Sequence, residues 1–255
     1  MFKRYPRILS PFFAVLVTNI LILYILYLIP QRPISYLLAP PVRVFWGERF
    51  LHYPFNLFLL PKLFYYANIL STSFIGVLMT ALAIGMIKES YLGYIPTIGE
   101  NLFLSLRKYF TLLMVWVVIL VLSETLTRIF RSIEYKHPSL FISYLTNSIG
   151  IFVQLFFIYT MPAIVVENRN FFSGVKENFL FLKTVFLTTL IFILPPTLFY
   201  FPLLGFNKLL PSMIERFFPE VIIIFILASI FISTIIDILI TTSSTLIFLK
   251  KRLNV

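Results

Sequence analysis

Asp237 is the acid whose position asks for an explanation. It lies 16 residues from the start and 12 from the end of the apolar run Val221–Leu249. In a helix rising about 1.5 Å per residue, that is near the middle of a membrane. An ionised acid there costs at least ~2.5–3.5 kcal/mol on insertion scales, so it must face a protein interior or water. Ser229, Ser233, Asp237 and Thr241 recur at four-residue intervals, and Ser244 and Thr245 continue the stripe. Two readings are open. The stripe is a path for an ion, proton or substrate, or it holds a protonated acid whose hydroxyl and amide partners fix helix packing. Asn147 and Gln154 are seven residues apart on another apolar run, hence on one face, and could supply the amides.

The remaining candidates for chemistry are thin. Glu124 lies four residues before Arg128, the spacing of an ion pair along one helix face. His52 and His137 are far apart, and with no cysteine there is neither a thiolate metal site nor a thiol nucleophile. No glycine-rich phosphate loop, Ser/His/Asp set or pair of catalytic carboxylates is present. The expectation is a protein without enzymatic activity, metal or cofactor.

These residues are carried by a chain of 255 residues, 60% hydrophobic and 12% charged, with a mean hydropathy of +0.96. Soluble domains carry about twice that share of charge, which excludes a soluble enzyme, a disordered chain and a coiled coil. The net charge of +11 does not point to nucleic acid, because the basic residues flank apolar runs and face anionic lipid there. Six runs reach the roughly 20 residues a membrane helix needs: Ile8–Ile29, Leu63–Ile87, Tyr109–Thr127, Ser139–Val166, Thr184–Asn207 and Val221–Leu249. The fold expected is an all-α, polytopic membrane helix bundle forming one domain over 1–255. Its first run is too long for a cleaved signal segment. Lys3, Arg4 and Arg7 before the first run and Lys250–Arg252 after the last place both termini in the cytoplasm, across a plasma (inner) membrane.

The outer loop Pro30–Lys62 holds six prolines yet stays apolar, so it reads as short interfacial helices or as a re-entrant segment. Pro195, Pro196 and Pro202 should kink the fifth span. Two inner segments share the pattern F-L-x-L-[RK]-x-x-F: Phe103–Phe110 and Phe179–Phe186, preceded, with one residue of slippage, by Glu100-Asn101 and Glu177-Asn178. Thr97 and Glu100 form a capping box that starts the first. Leu102 and Leu106 lie on the apolar face of one amphipathic inner helix, and Phe179 and Leu182 on that of the other. Residues 63–127 and 139–207 would then be a parallel repeat of span, inner helix and span.

Pro162-Ala-Ile-Val-Val-Glu167, the amphipathic segment Phe171–Lys183 and the basic exit Ser244–Arg252 together resemble the membrane-domain family found beside bacterial glycerophosphodiester phosphodiesterases, and its six-helix relatives. The resemblance covers roughly Ser139 to Arg252. It implies a six-helix fold and a membrane setting. It does not carry over the phosphodiesterase reaction, since His137 precedes Pro138 rather than Arg-Gly and clustered metal carboxylates are missing. The leading expectation is a scaffold or a subunit of a membrane assembly, in contact with lipids and with other membrane or cytosolic subunits. The alternatives are a small permease using Asp237 and a lipid-handling protein. A cavity reaching Asp237 favours the permease; dry packing around it favours the scaffold.

Overall fold

The computed structural model describes residues 4–136, 140–199 and 219–252. Every regular element among them is helical. In chain order they are α1 (Ser10–Tyr27), α2 (Ser35–Trp46), α3 (Phe55–Ser71), α4 (Val77–Tyr91), α5 (Ile98–Lys136), α6 (Leu140–Phe156), α7 (Thr160–Val166), α8 (Phe171–Leu198) and α9 (Val221–Arg252). Five stretches are long and apolar enough to cross a membrane: Pro6–Tyr27, Phe55–Tyr91, Ile98–Lys136, Ser148–Val166 and Val221–Arg252. The described chain is all-helical, with segments long and apolar enough to cross a membrane. The expected run Thr184–Asn207 is carried by α8 as far as Leu198 and by a turn at Phe199, and its remainder, with Pro202, lies outside the described residues.

Two apolar clusters mark the ends of the bundle. Ile8, Leu82, Met86, Ile87 and Leu249 bury one another at the end where the chain enters α1 and leaves α9, here called the terminal end. Leu23, Leu57, Leu60, Ile222, Ile226 and Ile230 do the same at the distal end. The proline-rich segment sits at that distal end. There α2 buries Ala39 and Val42 against Ile29, Leu51 and Leu59, while Tyr36, Leu37, Val44 and Phe45 stay exposed on its other face. Phe55–Leu60 belongs to the long helix, so the second apolar stretch begins eight residues before the expected Leu63.

α3 and α4 form one rod through a π-helical turn, Thr72–Gly76. The wide turn loosens the backbone ladder, and Tyr109 of α5 donates its hydroxyl to the Ser73 carbonyl at 3.1 Å. α5 begins where the capping box places it. The Thr97 hydroxyl meets Glu100 Oε2 at 3.3 Å, while its backbone N–H goes to Glu89 Oε2 at 2.8 Å. The helix then runs unbroken for 39 residues, without a joint between the segment expected at the interface and the span. Its bundle-facing side there is small and polar, with Asn101 and Ser105 buried, whereas Leu106 and Phe110 are exposed and Leu102 is half-buried.

The fourth span is interrupted at Phe157–Tyr159, between α6 and α7. Pro162 accounts for the position: it has no N–H for the Ile158 carbonyl and its ring crowds that oxygen. α8 bends at Val185 (φ −120°, ψ 20°), close to the expected boundary between inner helix and span. Pro195 and Pro196 lie within its last described turns. Phe179 is exposed, and Leu182 packs beside the cluster of Tyr159, Phe181 and Phe248.

At the terminal end an ion-pair network ties α7, α8 and α9 together. Arg169 Nε lies 2.6 Å from Glu167 Oε2 and its Nη2 3.4 Å from Glu177 Oε2. Arg252 Nε lies 3.0 Å from Glu167 Oε1, and its Nη2 pairs with Glu177. The guanidinium of Arg252 also sits over the rings of Phe181 and Phe248. Because Arg252 is about one-third exposed, solvent screening keeps the stabilisation modest. Arg252→Ala is expected to cost about 1–2 kcal/mol in detergent unfolding, less in high salt. Arg252→Lys should recover less than half, since one ammonium cannot serve two carboxylates as a fork does. An Arg252→Ala loss unchanged by salt would assign the effect to ring packing instead.

Candidate functional site

A cavity of about 1070 Å³ lies between the α3–α4 rod, α5, the broken α6–α7 span and α9. Each wall is a helical strip. On α5 the lining residues Trp116, Ile119, Leu120, Ser123, Glu124, Thr127, Arg128 and Arg131 follow three- and four-residue spacing, one face of a single helix. Along the rod the lining runs from Tyr65 to Ile84. That is 19 residues, or roughly 28 Å of depth.

The charged groups are distributed along this depth. Near the distal mouth Tyr65 donates its hydroxyl to Glu124 Oε1 at 2.5 Å, joining α3 to α5. Glu124 therefore reaches across the bundle to Tyr65, and no ion pair between Glu124 and Arg128 is found among the described residues. Arg128 and Arg131 line the cavity on the same helix and are exposed. Asp237 lies deeper. Ile226 and Ile230 of α9 pack against Leu57 and Leu60 of α3. Seven residues beyond Ile230 puts Asp237 roughly 10 Å farther in. Its side chain is exposed to the cavity, alongside Thr241 and Ser244.

The polar stripe of α9 divides. Asp237, Thr241 and Ser244 line the cavity, while Ser233 turns its hydroxyl to the Ile230 carbonyl at 3.0 Å and does not line it. Four-residue steps advance about 40° around a helix, so a stripe with that spacing spirals off any fixed wall. Gln154 lines the cavity from α6, in company with Thr146 and Gly150. Asn147 belongs to the same helix, and its side chain lies outside what the structure describes.

The break in the fourth span is held by a residue that carries no charge. Asn178 of α8 is fully buried; its Oδ1 accepts the Tyr159 N–H at 2.9 Å and its Nδ2 donates to the Phe156 carbonyl at 2.7 Å. One amide thus satisfies a donor and an acceptor that the missing helical turn leaves over. The Tyr159 hydroxyl shares a 2.6 Å hydrogen bond with Thr189, and its ring meets Phe181 edge-on. Lys88 donates to the Val166 carbonyl at 3.0 Å and Lys108 to that of Asn168 at 3.1 Å, fixing the other end of α7. With α7 anchored at both ends, Phe157, Ile158, Met161 and Pro162 form a wall of the cavity.

Asp237, Thr241 and Gln154, singled out in the sequence, line this cavity, whereas the α5 strip was not read there as a wall. Its signal was present as Ser123, Thr127 and Arg131 at four-residue steps, but apolar neighbours at the same spacing hid it. Chemically the cavity offers hydroxyls, an amide, two carboxylates and two guanidinium groups. No group of three metal-ligating side chains occurs among the described residues. No protein-family model matches the chain, and comparison with curated proteins and with solved structures gives no match either.

Proposed function

We propose that the protein is a six-span membrane protein whose interhelical cavity takes up a polar solute for passage across the bilayer. The observation that supports this reading is the depth of the cavity. Its roughly 28 Å approaches the ~30 Å of a hydrocarbon core, and it contains Asp237, Thr241 and Gln154. Asp237 borders this open volume from the middle of α9. The scaffold reading rests on missing chemistry and gains no comparable support.

The six-span count is supported by the chain ends. Ile8 and Leu249 pack in one cluster, and an odd number of crossings would put them at opposite ends. The five apolar stretches therefore need a sixth, for which α8 is the candidate. With the basic ends Arg4–Arg7 and Lys250–Arg252 at the terminal end, the positive-inside rule makes that end cytoplasmic.

Native cysteine is absent, so single-cysteine variants need no prior removal of thiols. Thr241→Cys and Gln154→Cys should react with an impermeant thiol reagent in both right-side-out and inside-out vesicles. Ile236→Cys, buried on the same helix as Thr241, should stay inert. Reaction from the distal side alone would leave a binding pocket without passage. A Thr241→Cys as inert as Ile236→Cys would remove the cavity from the argument altogether.

A further inference from the structure

The geometry points to the mouth of the cavity as a site for the oxyanion of an amphiphile, with Arg128 and Arg131 holding a phosphate-type headgroup and the α5 wall below them holding an apolar body. This identification of the solute rests on the cavity being open to solvent, as proposed above.

Three observations carry it. Arg128 and Arg131 are one helical turn apart on α5 and both line the cavity. Neither makes an ion pair among the described residues. Of the two carboxylates within about a turn of them on α5, Glu124 is bonded to Tyr65 across the bundle, and Glu134, three residues after Arg131, forms no ion pair with either arginine. Two guanidinium groups at a cavity mouth present several N–H donors to one incoming group, and planar donor forks suit phosphate and carboxylate oxygens better than any neutral ligand. Thr127 lies on the same wall, one residue before Arg128.

Below the arginines, past Glu124 (held by Tyr65) and Ser123, the wall turns apolar. Leu120, Ile119 and Trp116 line the cavity towards its depth. From Arg131 to Trp116 is 15 residues, or roughly 22 Å. A compact hydrated anion such as free phosphate would use the cations and gain nothing from this surface. A molecule with an anionic head and an alkyl or aromatic body uses both, because transfer of apolar surface out of water adds to the charge-assisted hydrogen bonds.

The experiment uses the full chain carrying Thr241→Cys in a neutral detergent and follows the rate of thiol labelling in the presence of three probes. Octyl phosphate has head and tail, inorganic phosphate has the charge without the tail, and octyltrimethylammonium has the tail with the opposite charge. Octyl phosphate at saturation should slow labelling roughly tenfold, and the other two at the same concentration less than about twofold. Arg128→Gln with Arg131→Gln should restore the unprotected rate, Arg131→Gln alone should restore it in part, and Arg49→Gln, an exposed cation of the distal loop outside the cavity, should leave protection unchanged.

Equal protection by octyl phosphate and octyltrimethylammonium, or protection that survives loss of both arginines, overturns the oxyanion site. Equal protection by octyl phosphate and inorganic phosphate overturns the amphiphile and assigns the mouth to a soluble anion. Rapid labelling that no probe slows defeats this inference while the open cavity stands. Failure of Thr241→Cys to label without any probe defeats the cavity and this inference with it.

Discussion

Asn178→Leu is expected to lower stability in detergent by about 2–5 kcal/mol, more than any other single change considered for this chain. The side chain is fully buried and makes two hydrogen bonds, from the Tyr159 N–H and to the Phe156 carbonyl. Leucine fills the volume and leaves both backbone groups unpaired inside the bundle, at about 1–3 kcal/mol each. Asn178→Asp keeps the acceptor for Tyr159 but turns an oxygen towards the Phe156 carbonyl, so it should be nearly as damaging. Asn170 supplies the internal comparison. It accepts the Ser173 N–H at the exposed start of α8, and Asn170→Ala should cost about 1 kcal/mol as the loss of an ordinary cap. Unfolding followed by circular dichroism ranks the three variants. An Asn178→Leu protein as stable as Asn170→Ala would mean that the broken span is held by apolar packing alone.

The second large effect is expected where α4 meets the start of α5. A Cβ added at Gly85 would run into the amide of Asn101, which is itself buried and donates to the Thr97 carbonyl at 2.7 Å. Gly85→Ala must displace either the amide or the helix, and overpacking of this kind costs about 1–3 kcal/mol. The pair can be separated from general damage by a double-mutant cycle. Asn101→Ala alone loses its hydrogen bond, but in that background Gly85→Ala should be close to neutral or stabilising. A Gly85→Ala penalty that persists without the Asn101 amide would locate the strain elsewhere.

Much of the architecture could be read from residues in order. The apolar runs gave the described spans, the Thr97–Glu100 box gave the start of α5, and the bend at Val185 fell beside the expected start of the fifth span. The extensions could not be read. The helices α3–α4 and α5 run longer than a single span requires because polar or proline-containing segments continue the same helix, and apolarity alone does not show where such a helix ends. The break at Phe157–Tyr159 had a local cause in Pro162, yet a proline in an apolar run is compatible with a simple kink. Only the distant Asn178 turns the kink into a stable interruption. Asn101 and Asn178 precede the two similar segments with one residue of slippage between them, and both are buried against a preceding helix. Their pattern showed two amides beside two glutamates; which of each pair turned inward depended on tertiary packing. The cavity was least legible, because it is bounded by four helical walls whose rotations no single periodicity reveals.

The wide turn at Thr72–Gly76 has a mechanical consequence. Accommodating one extra residue per turn changes the angular phase of everything after it by about 100°. Leu57 and Leu60 before the turn lie against α1 and α9, whereas Val77 and Ala81 after it lie against Leu112, Val115 and Ile164. After the turn the rod keeps α1 and α9 as neighbours through Leu82 and Met86 and adds a seam with α5 and α7, with Thr72 at the changeover and in the cavity wall. A rod of constant phase would carry a single seam along its whole length and draw the same neighbours together throughout. Because the seam with α5 and α7 begins only after the turn, α3 lacks it, and Tyr65, Tyr66 and Ile69 border open volume there instead.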